Sequence, residues 1–223
     1  MKPRIPWLTI LCLALAAIPA QAQKNLTYDN GPINGGVSAW TINFGYVVSD
    51  TLALGYGDQD FVTGFAFGVW EYPFDNMLSV DWSITSGENG GTVYGSGTAS
   101  GYYLSDYFIS TNSYGYDIDL ITVTGLNVSL RAGTYWLNLQ NAVSAQGNPV
   151  YWDENSGVGC GGNDGKGSGC PSEASESAVG TIPGEAFTIS GSCEYNCTPE
   201  PSSIMLFGSG ILGVAGVLRR KLF

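Results

Sequence analysis

Apolar and polar residues alternate with period two over much of this chain. Phe65, Phe67 and Val69 are interleaved with Ala66, Gly68 and Trp70. Leu78, Val80, Trp82 and Ile84 share one parity, and Ser79, Asp81 and Ser83 the other. Tyr135, Leu137 and Leu139 alternate with Trp136, Asn138 and Gln140. Successive side chains of a β-strand leave on opposite faces, so each run predicts one buried and one exposed face. Such runs are rich in β-branched and aromatic residues and are bounded by clusters of Gly, Asn, Asp and Ser. They predict strands over 38–43, 46–54, 61–71, 77–85, 91–100, 106–110, 117–124, 126–130, 133–143, 150–152 and 186–190. No stretch of the body sustains a helical period, and the chain's 32 glycines oppose long helices. The expectation is an all-β fold, an antiparallel β-sandwich of jelly-roll-like form.

The two ends break this pattern. Lys2 and Arg4 precede an apolar run from Trp7 to Ile18, then Pro19 and the small-residue exit Ala20-Gln21-Ala22. This is the form of a signal helix removed before Gln23, and the run is short for a membrane span. At the other end, Pro199-Glu200-Pro201 leads into an apolar, Gly-rich stretch over 204–218 and then Arg219-Arg220-Lys221. That stretch is near the lower limit for a transmembrane helix, and the basic cluster after it should remain cytoplasmic. The chain therefore divides into a signal peptide at 1–22, an extracytoplasmic domain at 23–197 and a sorting tail at 198–223.

The tripartite tail resembles the PEP-CTERM sorting signal of Gram-negative bacteria, with Pro199, Glu200 and Pro201 as its motif and Arg219, Arg220 and Lys221 as its membrane stop. The resemblance implies processing by an exosortase-type membrane protease near the motif. It also implies a membrane-anchored precursor that ends at the cell surface or is secreted, and an association with exopolysaccharide. More loosely, Tyr28-Asp29-Asn30-Gly31 and Thr134-Tyr135-Trp136-Leu137 resemble the choice-of-anchor type of exported β-sandwich domain. That resemblance implies the same fold and brings no catalytic motif.

Charge narrows the partners. The domain holds 18 acidic residues against three basic ones, Lys24, Arg131 and Lys166. Such a field repels nucleic acid and anionic lipid and favours divalent cations. The chain has no histidine, which removes Ser-His-Asp catalysis and every His-containing zinc site. Four cysteines remain in the domain: Cys160, Cys170, Cys193 and Cys197. An even number in an exported domain reads as disulfides. Pairing Cys160 with Cys170 and Cys193 with Cys197 is favoured because each pair brackets a short, flexible stretch; two other connectivities and a four-cysteine zinc site are the alternatives. The Gly-rich stretch 157–171 around the first pair reads as a surface loop.

Three chemistries compete for the body. Sugar binding needs flat aromatic rings beside polar groups. Trp136, Asn138 and Gln140 share the polar parity of one strand, and Trp70 opposes an apolar set on another. Packing under a loop competes with ligand binding at both tryptophans. Trp82 sits in an apolar set and reads as core, while Trp40 and Trp152 are undecided. The tyrosines of 102–107 and the Tyr114-Gly115-Tyr116 turn form a candidate rim. Calcium needs several oxygens in a small space. Asp58 with Asp60, Asp117 with Asp119, and Asp153-Glu154-Asn155 are the groupings available, and Asp153 with Glu154 is the preferred one. Glycoside hydrolysis needs two carboxylates facing across a cleft. Glu71, Asp81, Asp153 and Glu154 are present, but nothing in the spacing brings any two together.

The reading is an exported surface or matrix protein that is not an enzyme, with a structural or adhesive role among exopolysaccharide. It requires no cofactor, calcium being optional, and it binds no nucleic acid. A carbohydrate-binding module, with or without calcium, is the alternative, and a glycoside hydrolase comes third. N-terminal sequencing of the exported chain is expected to begin at Gln23, and Ala22→Trp should block that cleavage and leave the larger precursor.

Overall fold

Strand β4, Asp60–Glu71, is hydrogen-bonded along both edges and organises the larger of two sheets. The computed structural model describes residues 25–54, 60–155 and 174–193, with backbone only for 25–27 and 193. These residues belong to one compact unit, Lys24–Cys197. Besides β4 they form β1 (Asn25–Asp29), β2 (Ala39–Thr41), β3 (Val47–Leu54), β5 (Met77–Gly87), β6 (Gly90–Ser100), β7 (Leu104–Thr111) and β8 (Asp117–Leu130). Then come β9 (Gly133–Ser144), β10 (Tyr151–Asp153), β11 (Ala174–Glu176), β12 (Gly180–Ile182) and β13 (Phe187–Cys193). A single 3-10 turn, Gly101–Tyr103, joins β6 to β7.

All pairings are antiparallel. In the seven-stranded sheet β8 runs along one edge of β4 and carries β7 outside it. The other edge of β4 is shared end to end by β13, which carries β1, and β10, which carries β2. The second sheet has six strands in the order β12-β11-β3-β9-β5-β6. The described residues are all-β, as the alternation predicts.

The core lies between the sheets and follows that alternation. Phe65, Phe67 and Val69 of β4 are fully buried beside their cross-strand partners Val123 and Ile121 of β8. Val80 and Ile84 of β5 and Leu137 and Leu139 of β9 answer from the other sheet. Burial of each such side chain is worth about 1.5–3 kcal/mol. Trp152 is core as well, edge-on to Phe67 and Phe187 at 5.9 and 5.6 Å. Trp82 packs edge-on to Phe65 from the second sheet.

Some expectations fail where the register slips. Leu78 does not join Val80 and Ile84; it is exposed and Met77 is buried instead. The pairing of β5 with β9 shifts between Met77 and Ser79 and again between Ser79 and Asp81, and a one-residue slip exchanges the faces. The two strands expected over 117–124 and 126–130 are one strand, β8. Gly125 takes a φ of 78°, so the chain bulges against β4 without ending. Strands β1, β11 and β12 had no signal of their own, being short and largely polar; neighbouring strands supply their pairing. The expected signal helix, sorting helix and 157–171 loop lie outside the described residues.

Backbones come close where β4 meets the bulge. A Cβ at Gly64 would stand 2.5 Å from the Val123 carbonyl oxygen, which cannot move without breaking the ladder. Gly64→Ala is expected to lower stability by about 1–3 kcal/mol. Urea unfolding should show a lower midpoint with an unchanged slope.

Candidate functional site

The apolar inner stripe of the larger sheet turns acidic at one end. On β4 the series Phe65, Phe67, Val69 continues to Glu71; on β8 the matching series Val123, Ile121 continues to Asp119 and Asp117. Asp117 lies directly opposite Glu71, and Asp119 opposite Val69. Strand β7 adds Asp106, opposite Ile121, and Phe108, opposite Asp119. Carboxylate oxygens of Glu71, Asp106 and Asp119 lie within 4.8 Å of one another, the one such group of acids among the described residues. A cavity of about 490 Å³ opens beside them, lined by Asp75, Asp106, Asp117 and Asp119 and by the rings of Phe74 and Phe108.

These carboxylates are unequally provided for. Asp117 accepts from Thr111 Oγ1 at 2.9 Å and from the Phe74 N–H at 3.3 Å. Burial works to raise Asp75, but donors from Gln146, Asn76 and Asn148 hold it below the usual carboxylate range. Asp106 accepts the Met77 N–H at 2.8 Å and is still raised by burial. Glu71 is 0 % exposed, and no donor reaches either of its oxygens. A hydrogen bond between Glu71 and Asp106 requires one of the two carboxyls to carry a proton. Burial, then the charges of Asp106 and Asp119, push Glu71 up to about 9. Burial, then Asp106 and Asp117, push Asp119 up to about 7. Arg131, the only basic residue among the described ones, follows the far end of β8. It lies a strand length of about 40 Å away and neutralises none of them.

On the outer face of the same end lies an aromatic platform. Trp70 is buried under Tyr114, their rings stacked at 5.7 Å and 21°. Tyr116 leans on Trp70 at 5.9 Å and meets Tyr72 and Tyr151 edge-on at 5.2 and 5.8 Å. Tyr114 is 64 % exposed and Tyr72 is 39 % exposed, so the platform presents tyrosine rings to solvent. Along the neighbouring free edge, Tyr107, Phe108 and Ile109 of β7 are exposed too.

The residues anticipated for sugar binding are dispersed. Trp70 is the base of the platform, not its surface. Trp136 and Gln140 are half-buried on the outer face of the second sheet, opposite Thr51 and Val47 of β3. Asn138 between them is buried, and its amide bonds Ser49, Thr85 and the Asn89 N–H, so it is occupied within the sheet.

The preferred calcium pair does not converge. Asp153 accepts from Trp70 Nε1 and from the N–H groups of Asn34 and Gly35, while Glu154 accepts from Trp40 Nε1. As successive residues at a strand end they leave on opposite sides. A third acid near this pair, Glu185, is fully buried and pushed well above the carboxylate range by burial, then by Asp50, Glu154 and Asp153. The acids that converge are instead Glu71, Asp106 and Asp119. The sequence signal for them was the change from apolar to acidic at the same level of two inner stripes. Cys160, Cys170 and Cys197 lie outside the described residues, and Cys193 is described by its backbone alone, as the end of β13.

The tail identifies itself by comparison with known families. Residues 198–221 match the PEP-CTERM protein-sorting motif. The PEP-CTERM tail marks an exported, surface-sorted protein with a membrane-anchored precursor, and it implies processing by an exosortase, a membrane protein. The motif covers Pro199, Glu200 and Pro201 and reaches Lys221. A search of curated proteins gives no match to the chain.

The raised acids set a pH dependence. In the unfolded chain these carboxyls ionise near pH 4, whereas folded Glu71 and Asp119 hold protons to about 9 and about 7. The folded state then binds more protons, and stability falls as pH rises. In metal-free buffer, thermal unfolding is expected to show a loss on the order of a few kcal/mol between about pH 5 and 9, with Glu71, Asp119 and the buried Glu185 all contributing. Glu71→Gln should reduce that slope.

Proposed function

We propose that this PEP-CTERM protein is a non-catalytic, adhesive element of the cell surface that engages extracellular polysaccharide. The observation that carries the reading is the tyrosine platform of Tyr114, Tyr116, Tyr72 and Tyr151 over Trp70. Sugar rings stack their CH-rich faces on such surfaces, and a platform already packed in place loses little entropy on binding. The acidic body repels nucleic acid and anionic lipid but not a neutral glycan. The reading includes a jelly-roll-like winding of the sheets, a signal helix, a membrane helix over 204–218 in the precursor, and a final place at the surface or in the released polymer layer.

Glycoside hydrolysis is the weaker reading. Glu71, Asp106 and Asp119 stand side by side on adjacent strands of one sheet, and Glu71 is buried behind the cavity lining. Hydrolysis places its two carboxyl groups on either side of the scissile bond.

The test is titration of the purified full chain against the producing cell's extracellular polysaccharide. Saturable binding is expected, about tenfold weaker in Tyr114→Ala, the equivalent of about 1.4 kcal/mol, and little changed in Trp136→Ala. Absence of saturable binding by the folded protein would sink the adhesive reading. Loss through Trp136 alone would move the contact to the other sheet, and release of reducing ends would make the protein a hydrolase.

A further inference from the structure

We propose that Glu71, Asp106 and Asp119 are the protein ligands of one calcium ion, which ties β4, β8 and β7 together at the acidic end of the sandwich.

Three observations converge on it. The first is Glu71 itself. A fully buried carboxylate without a donor is costly unless something positive meets it. The second is geometry. Three adjacent strands each contribute one acid, and their oxygens lie within 4.8 Å of one another. Calcium–oxygen bonds of about 2.3–2.6 Å can join oxygens up to roughly 5 Å apart through one ion, whereas magnesium, at about 2.0–2.1 Å, demands a tighter octahedron. The third is provision for the rest of the shell. The cavity beside Asp106 and Asp119 admits water, which calcium needs to complete six to eight oxygens, roughly.

The donor set selects the ion class. Carboxylate and water oxygens suit calcium, magnesium or manganese, while zinc and copper favour imidazole and thiolate. Neither imidazole nor thiol stands among the converging groups. Like charges on neighbouring strands repel, so Glu71, Asp119 and Asp106 on β4, β8 and β7 also gain from a cation between them. Asp117 and Asp75 are already held by donors, and they shape the rim while the three ligands bind.

An ion here would fix β7, the edge strand that carries Tyr107 and Phe108, and the start of β5, whose Met77 N–H binds Asp106. The site does not depend on the polysaccharide reading, and its test uses no glycan.

The experiment is calorimetric titration of calcium chloride into the EGTA-stripped full chain, with thermal unfolding followed in parallel. One ion per chain is expected, with a Tm gain of roughly 5–10 °C at about 10 mM calcium and a smaller gain with magnesium. Glu71→Gln resembles the protonated acid in shape, so its calcium-free form should fold, as circular dichroism will verify, while losing the calcium-induced shift. Asp119→Asn should lose it as well, and the exposed Glu88→Gln should keep it. No saturable heat and no Tm shift in the wild-type chain would overturn the proposal, and so would a full calcium response in folded Glu71→Gln and Asp119→Asn.

Discussion

The inner face of β4 is the surface on which both sheets close. Phe65, Phe67 and Val69 meet Val123 and Ile121 within their own sheet and Trp82 and Trp152 around it. A strand bonded along both edges cannot shift register without moving β8, β13 and β10 together. That constraint fixes which residues of each neighbour face inward. It also fixes what happens where the apolar series ends. Glu71 has the same parity as Val69 and so faces inward, whatever the cost of burying its charge.

The acidic end is a consequence of that alignment. On a lone strand, one inward carboxylate at the margin would bend toward water. Here Asp119 and Asp117 of β8 and Asp106 of β7 arrive at the same level, and the 72–76 turn closes over them. Asp75 and Asp117 find N–H and O–H donors, and Glu71 finds none. Backbone and side-chain donors satisfy the rim and leave the centre for a proton or a cation. On the other side of the same sheet, the alternate residues Trp70 and Tyr72 face outward and collect Tyr114, Tyr116 and Tyr151 into the platform. Acid cluster and aromatic platform are thus the two faces of one sheet end.

The sorting signal and the two features of the sheet end are written differently in this protein. The PEP-CTERM tail directs sorting through a short linear signal, readable without any fold. The platform and the acid cluster have no linear signature, because Glu71, Asp106 and Asp119 come from three strands and the rings come from β4 and the turn after it, β10 and the connection between β7 and β8.

The sequence by itself determined the sorting tail, the all-β class and most inner-face residues. These depend on local order: a proline motif before an apolar stretch and a basic stop, or side chains that flip at every residue. It also held Asp117 and Asp119 as a same-face pair. Tertiary structure decided the rest. Leu78 faces out because a bulge shifts its phase, β11 and β12 exist because β3 offers them an edge, and Asn138 is occupied because Ser49 and Thr85 lie across from it. Asp153 and Glu154, adjacent in sequence, part to opposite sides, while Glu71 and Asp119, 48 positions apart by their numbers, meet. The physical reason is common to all of these. Periodicity specifies the face on which a side chain leaves its strand, but only pairing register specifies what stands opposite.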